Sequence, residues 1–135
     1  MKRIFSAKSL IDGTPLVPVA DPYIVVEDGT VQQIGSGRLL EALTEGAELI
    51  DMPDATIIPG LVEAHVHLAM ALHLPEWPDI DADPTRMAFL AARNARIALA
   101  AGVTTVGGCG ARYGITIQLR DAIARGEVIG SRVWA

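Results

Sequence analysis

The chain has 135 residues, half of them apolar, and a formal net charge of −5. That length and apolar content fit a folded protein with a real core and exclude a disordered chain. The negative balance argues against a nucleic-acid partner or an anionic membrane surface, and ordinary solubility accounts for it.

Cys109 is the single cysteine, so no intrachain disulfide can form and a reducing compartment is the default. Met1 to Ser6 lacks the apolar core of a signal peptide, and no apolar stretch reaches the length of a membrane span. The expected setting is the cytoplasm.

The first part reads as short strands and turns. Lys2 to Phe5 opens a strand, and Asp12-Gly13 and Asp21-Pro22 are turn signals. Tyr23 to Glu27 and Thr30 to Ile34 are β-rich runs joined by Asp28-Gly29, the strongest short-range hairpin signal. Gly35-Ser36-Gly37 ends that hairpin. Residues 38–46 suit a short helix closed by Gly46, and Ala47 to Met52 resumes strand-like alternation.

The character changes near residue 56. Thr56 to Val62 is apolar on both faces, as a buried strand would be, with Pro59 bending it or delaying its start. Residues 73–84 read as a long loop. Asp83-Pro84 then supplies a helix N-cap with proline at the first helical position. Met87, Leu90, Ala91, Ala95 and Ala98 form the apolar face of that helix, and Gly102 ends it. Val103 to Val106 is a short β-branched strand, and Gly107-Gly108-Cys109-Gly110 follows as a loop. Ile115, Leu119, Ala122 and Ile123 recur at helical spacing up to Gly126, and Val133-Trp134-Ala135 begins another strand. Strand, helix, strand, helix, strand is the order of parallel βαβ units. The expected division is therefore a β-rich segment over residues 1–55 and an α/β segment over residues 56–135. Three parallel strands and two helices leave a sheet poorly covered, so the chain reads as an incomplete fold.

The chemistry concentrates in Leu61-Val62-Glu63-Ala64-His65-Val66-His67, where two of the three histidines stand one residue apart. In a strand, alternation points His65 and His67 the same way, and two imidazoles on one face make half of a metal site. Alone, His-x-His is a weak motif, as compatible with two polar residues at a strand end. The Pro-Gly entry, the apolar strand and the βα units downstream favour the metal.

With those neighbours the segment Pro59 to Leu68 resembles the signature of the metal-dependent amidohydrolase superfamily. Asp28-Gly29-Thr30-Val31 with Ile34-Gly35 resembles its N-terminal β-rich hairpin, Ala101 to Val106 its second barrel strand, and Ala122 to Val133 the approach to the third. The nearest likeness is to the imidazolonepropionase-like and prolidase-like branch. The resemblance implies an α/β fold: part of a small β-sandwich, then the first βα units of a (β/α)₈ TIM-type barrel, incomplete in this chain. It implies that His65 and His67 are metal ligands at the C-terminal face, where barrel active sites lie. A lysine, two further histidines and an aspartate would come from later strands. The implied cofactor is a divalent metal, Zn²⁺ in first place, as one or two ions. The implied reaction is hydrolysis of an amide or other C–N bond in a small-molecule or peptide-like substrate. The alternative is a truncated, non-catalytic fragment that binds metal weakly, self-associates or assembles with a complementing chain.

Two positions depart from the family's pattern. Glu63 stands where aspartate is common, and either orients a ligand histidine or is a polar residue near the mouth. Gly107-Gly108 stands where prolidase-like members carry Arg-Asp. Other residues have plainer readings. His73 is a solvated loop histidine, Cys109 a small semi-buried thiol with no base beside it, and Trp77 a candidate lid residue. Asp79, Asp81 and Asp83 form an acidic loop with a helix cap, lacking the spacing of a calcium loop.

Overall fold

The computed structural model describes residues 1–14, 17–39, 41–70 and 83–135. His73, Trp77, Asp79 and Asp81 lie outside the described residues. The chain divides into two compact units, Met1–Pro59 and Gly60–Ala135.

The N-terminal unit is a five-stranded sheet. Strand β1 (Lys2–Leu10) pairs antiparallel with β2 (Val19–Ala20) and β3 (Pro22–Glu27), and β3 pairs with β4 (Thr30–Ser36). The β3–β4 turn is the expected two-residue hairpin. Asp28 and Gly29 both adopt positive φ, 49° and 78°, and Glu27 faces Thr30. Such a pair matches the right-handed twist of the flanking strands. Gly35 lies opposite Tyr23, and a Cβ there would collide with the tyrosine ring, so the missing side chain lets the ring lie across the strand.

A short helix α1 (Glu41–Thr44) leads into β5 (Ala47–Ile57), which pairs parallel with β1. The sequence suggests an end near Met52, but β5 continues to Ile57. Between the pairs Ala7–Met52 and Ser9–Thr56 the register shifts, so the extra residues, Pro53 among them, sit in an irregularity where a missing N–H is tolerated. Ile4, Tyr23 and Val25 make the buried centre, with Leu39, Leu43 and Ala47 packed on it.

The C-terminal unit is a parallel three-stranded sheet in the order β6 (Leu61–Val66), β7 (Val103–Gly108), β8 (Arg132–Trp134). Helix α2 (Pro84–Ala100) joins β6 to β7, and α3 (Ile115–Ala124) joins β7 to β8. The expected βαβαβ order is present. Asp83 caps α2, its Oδ1 accepting from the N–H groups of Thr85 and Arg86 at 2.9 and 3.2 Å. Gly102 follows the helix with φ 87°, a conformation that costs glycine little.

The core holds Leu68, Met87, Leu90, Ala91, Ala95, Val106, Ile115, Leu119 and Val133. Burial of each large aliphatic side chain contributes about 1.5–3 kcal/mol. Ser131 is fully buried, and its hydroxyl donates to the Val103 carbonyl at 2.6 Å, tying the approach to β8 onto β7.

Two expectations need correction here. Thr56 to Val62 is not one buried strand: β5 ends at Ile57, β6 begins at Leu61, and Leu61 and Val62 are 50% and 65% exposed. The physical reason is position, since β6 has a ladder partner on one side only among the described residues. Nor is Gly107-Gly108 a loop. Both residues extend β7, where low intrinsic strand propensity yields to pairing on both sides.

Candidate metal centre

Strand β6 does not run regularly to its tip. Glu63 pairs with Val106 and Val66 with Gly108, three steps on β6 against two on β7. That is a bulge, and bulges re-aim the side chains beside them. It depends on Gly107. A Cβ at that position would lie 2.2 Å from the Ala64 carbonyl oxygen, a backbone atom with little freedom to retreat. A side chain at 107, such as the arginine of the prolidase-like pattern, has no room beside this strand.

Within the bulge the His65 N–H is taken by the Glu63 carboxylate at 3.0 Å. The Glu63 carboxylate thus serves backbone. His65, within the bulge, is exposed, and His67, beyond it, is half-buried. Their rings meet edge to face, with centroids 5.1 Å apart. The two Nε2 atoms lie 3.3 Å apart.

The His67 ring is held from behind. Its Nδ1 lies 2.6 Å from the carbonyl oxygen of Cys109, at the end of β7. A carbonyl only accepts, so Nδ1 carries the proton and, in the neutral ring, Nε2 keeps its lone pair. In the contact between the two rings, His65 Nε2 is therefore the donor. Gly110 lies beside the ring, where a Cβ would stand in ordinary contact at 3.6 Å. The Cys109 N–H also donates to the Val66 carbonyl at 2.8 Å, so one residue grips both the histidine's ring and its strand.

This donor set fits a metal ion. Two nitrogens bound to one tetrahedral Zn²⁺ at about 2.0–2.1 Å lie about 3.3–3.4 Å apart, the separation of these two Nε2 atoms. A backbone carbonyl on the far ring nitrogen is the usual device for fixing a ligand histidine. Among the described residues no group of three or more His, Cys, Asp or Glu side chains that could hold a metal ion occurs.

The structure thus brings together His65 and His67, the pair singled out by sequence. It adds three contributions that spacing alone does not disclose: the carbonyl of Cys109, the absent side chain of Gly107, and the bulge itself. The only sequence trace of them is a run of glycines after a β-branched strand.

Comparison with known proteins gives a family. Residues 56–135 match the model of the Amidohydrolase family. An imidazolonepropionase of Treponema denticola is 51% identical over 47 residues, 34% of this chain and 11% of that protein. A 5-methylthioadenosine/S-adenosylhomocysteine deaminase of Nitratidesulfovibrio vulgaris is 42% identical over 52 residues, 38% of this chain and 12% of its own. The crystal structure of a Xaa-Pro dipeptidase with bound methionine superposes with a TM-score of 0.88 at 30% identity, covering all of this chain and 33% of the other. The chain therefore spans about a third of that solved chain, and its matches cover about a tenth of the two relatives.

Proposed function

The chain belongs to the amidohydrolase family, and on that premise we propose that His65 and His67 are two ligands of a divalent cation, Zn²⁺ in first place, in a hydrolase of C–N bonds. The substrate class is a small amide or peptide-like molecule. The observation that carries this reading is the pair of Nε2 atoms 3.3 Å apart, with the far nitrogen of His67 anchored on a carbonyl.

Members of this superfamily generally use a divalent metal. Bound here, such an ion supplies Lewis acidity, polarising the substrate carbonyl and making water a nucleophile at neutral pH. This chain's own residues prepare that site. Cys109 keeps the proton on His67 Nδ1 and so presents Nε2 as a donor of electrons. His65 completes the pair by moving its own proton off Nε2. Glu63 satisfies the His65 N–H and keeps the bulge from leaving a backbone donor unpaired. Gly107 admits the strand at close range. A catalytic zinc takes three protein ligands and leaves one position open. Two histidines therefore hold it weakly, and further ligands complete the site. A reducing cytoplasm is the setting proposed for the half-buried free thiol of Cys109.

The test is turnover and metal content in the polypeptide that carries the remaining ligands. His65→Ala and His67→Ala should each lower both by more than the about 10–100-fold typical of losing an outer partner of a ligand. Undiminished hydrolysis by either variant refutes the reading.

One observation favours a second reading, a non-catalytic assembly partner. Among the described residues β6 and β8 each pair on one side only, and β6 leaves Leu61 and Val62 exposed. Under that reading the 135-residue chain shows no hydrolysis alone and is recovered bound to a complementing chain or to itself.

A further inference from the structure

The stripe that α2 presents to the core contains one residue that does not belong there by polarity. Met87, Leu90, Ala91 and Ala95 are buried, and Ala98 is half-buried. Asn94 falls on the same side by helical spacing and is itself half-buried. Asparagine is a weak helix former, and an amide turned toward a core costs free energy unless it is hydrogen-bonded. The Asn94 amide is so bonded: its Nδ2 donates to the Leu68 carbonyl at 2.8 Å.

Leu68 is the residue after His67, and it is itself only 2% exposed. Its carbonyl lies past the last residue of β6, in the turn where the Met70 N–H returns to the His67 carbonyl at 3.2 Å. His67 is therefore flanked by two backbone anchors. On one side the Val66 carbonyl accepts from the Cys109 N–H at the end of β7. On the other the Leu68 carbonyl accepts from Asn94 on α2. The ring's own bond to the Cys109 carbonyl is 2.6 Å long, and a short, directed contact of that kind survives only small shifts of the backbone that carries it.

We propose that Asn94 is a positioning residue for the histidine pair: its amide fixes the turn after β6 so that His67 Nδ1 meets the Cys109 carbonyl and Nε2 faces His65. The proposal rests on the metal reading above for its consequence. Its geometric part concerns this chain alone.

The test uses the full 135-residue chain, Zn²⁺ as the probe, and the variants Asn94→Leu and Asn94→Asp. Leucine completes the apolar stripe and removes the donor. Aspartate keeps the size and replaces the donor by an acceptor. Zn²⁺ affinity is measured by competition with a chromophoric chelator, the His67 tautomer by imidazole ¹⁵N shifts in the metal-free chain, and folding by thermal melting. Asn94→Leu should melt within a few degrees of the parent chain yet bind Zn²⁺ about tenfold more weakly, as the loss of an outer partner does. Its His67 ring should lose the single Nδ1–H signature, and Asn94→Asp should lose it too. An Asn94→Leu chain with unchanged affinity and unchanged tautomer overturns the proposal. If Zn²⁺ binds the parent and a His65→Ala/His67→Ala chain alike, the metal reading fails by itself. The tautomer signal then decides the role of Asn94: loss in Asn94→Leu upholds it, and retention overturns it.

Discussion

The two units of this chain solve the same problem, covering a sheet, by different means. In the N-terminal unit most pairs are antiparallel, β5 alone returning to lie parallel with β1, and the buried centre is as small as Ile4, Tyr23 and Val25. In the C-terminal unit the strands are parallel, each crossover needs a helix, and the buried cluster spans both helices and two of the three strands. Parallel pairing places the ends of successive strands at one edge of the sheet, where side chains from distant parts of the sequence converge. The histidine pair and the carbonyl of Cys109, 42 residues apart in sequence between His67 and Cys109, meet at that edge. The N-terminal unit is mostly antiparallel, with β1 and β5 its one parallel pair among the described residues, and among those residues it holds none of the candidate ligands.

Four substitutions, the last read in a pH series, can break that comparison, in decreasing order of effect. Leu90→Ala empties the centre of the C-terminal cluster and should cost about 2–5 kcal/mol, read by denaturant unfolding. A small loss would mean that α2 is not holding the sheet. Gly107→Ala places a methyl group against the Ala64 carbonyl oxygen and should cost the upper part of about 1–3 kcal/mol. It should also abolish the His67 Nδ1–H signature, because the bulge cannot persist. Gly29→Ala meets nothing within 4 Å but holds a left-handed φ of 78°, so about 1–2 kcal/mol is expected, with the histidine pair untouched. Equal effects of the two alanines on His67 would erase the distinction between the units.

The smallest effects belong to exposed ion pairs. The Arg125 guanidinium, hydrogen-bonded to Glu127 at 2.8 Å, holds that carboxyl below its ordinary value of 4.5. In the N-terminal unit the terminal ammonium does the same to Asp28. A carboxyl whose folded value is lowered stabilises above its unfolded value, and that contribution fades as pH falls through the folded one. Arg125→Ala should therefore melt marginally below the parent at neutral pH, with the gap closing on acidification below 4.5. A gap that widens in acid would contradict the pairing.

Local chemistry was the legible part. The Asp28-Gly29 hairpin, the Asp83-Pro84 start of α2, Gly102 at its end and the alternation of strands with helices all follow from rules that act over a few residues. What escaped depends on neighbours remote in sequence. β1, opened by Lys2 to Phe5, continues to Leu10 because β5 pairs with it that far and β2 takes Ser9 and Leu10 on the other side. β5 carries Pro53 because the register slips there, and Gly107 stays in a strand because Ala64 needs its space. For the site, the two histidines were readable and their support was not. A backbone carbonyl has no side-chain signature, so Cys109 drew attention for its thiol while its oxygen makes the contact. Asn94 went unread in the apolar stripe of α2, because the partner that explains it lies 26 residues away.

A metal centre on this strand requires that both Nε2 atoms bind one ion. A Zn²⁺ titration of the ¹⁵N-imidazole-labelled chain reads this directly. The expected result is that the Nε2 resonances of His65 and His67 move together at one stoichiometric ion, while His67 keeps its proton on Nδ1. Movement of a single ring, binding through His67 Nδ1, or no change at all would contradict it.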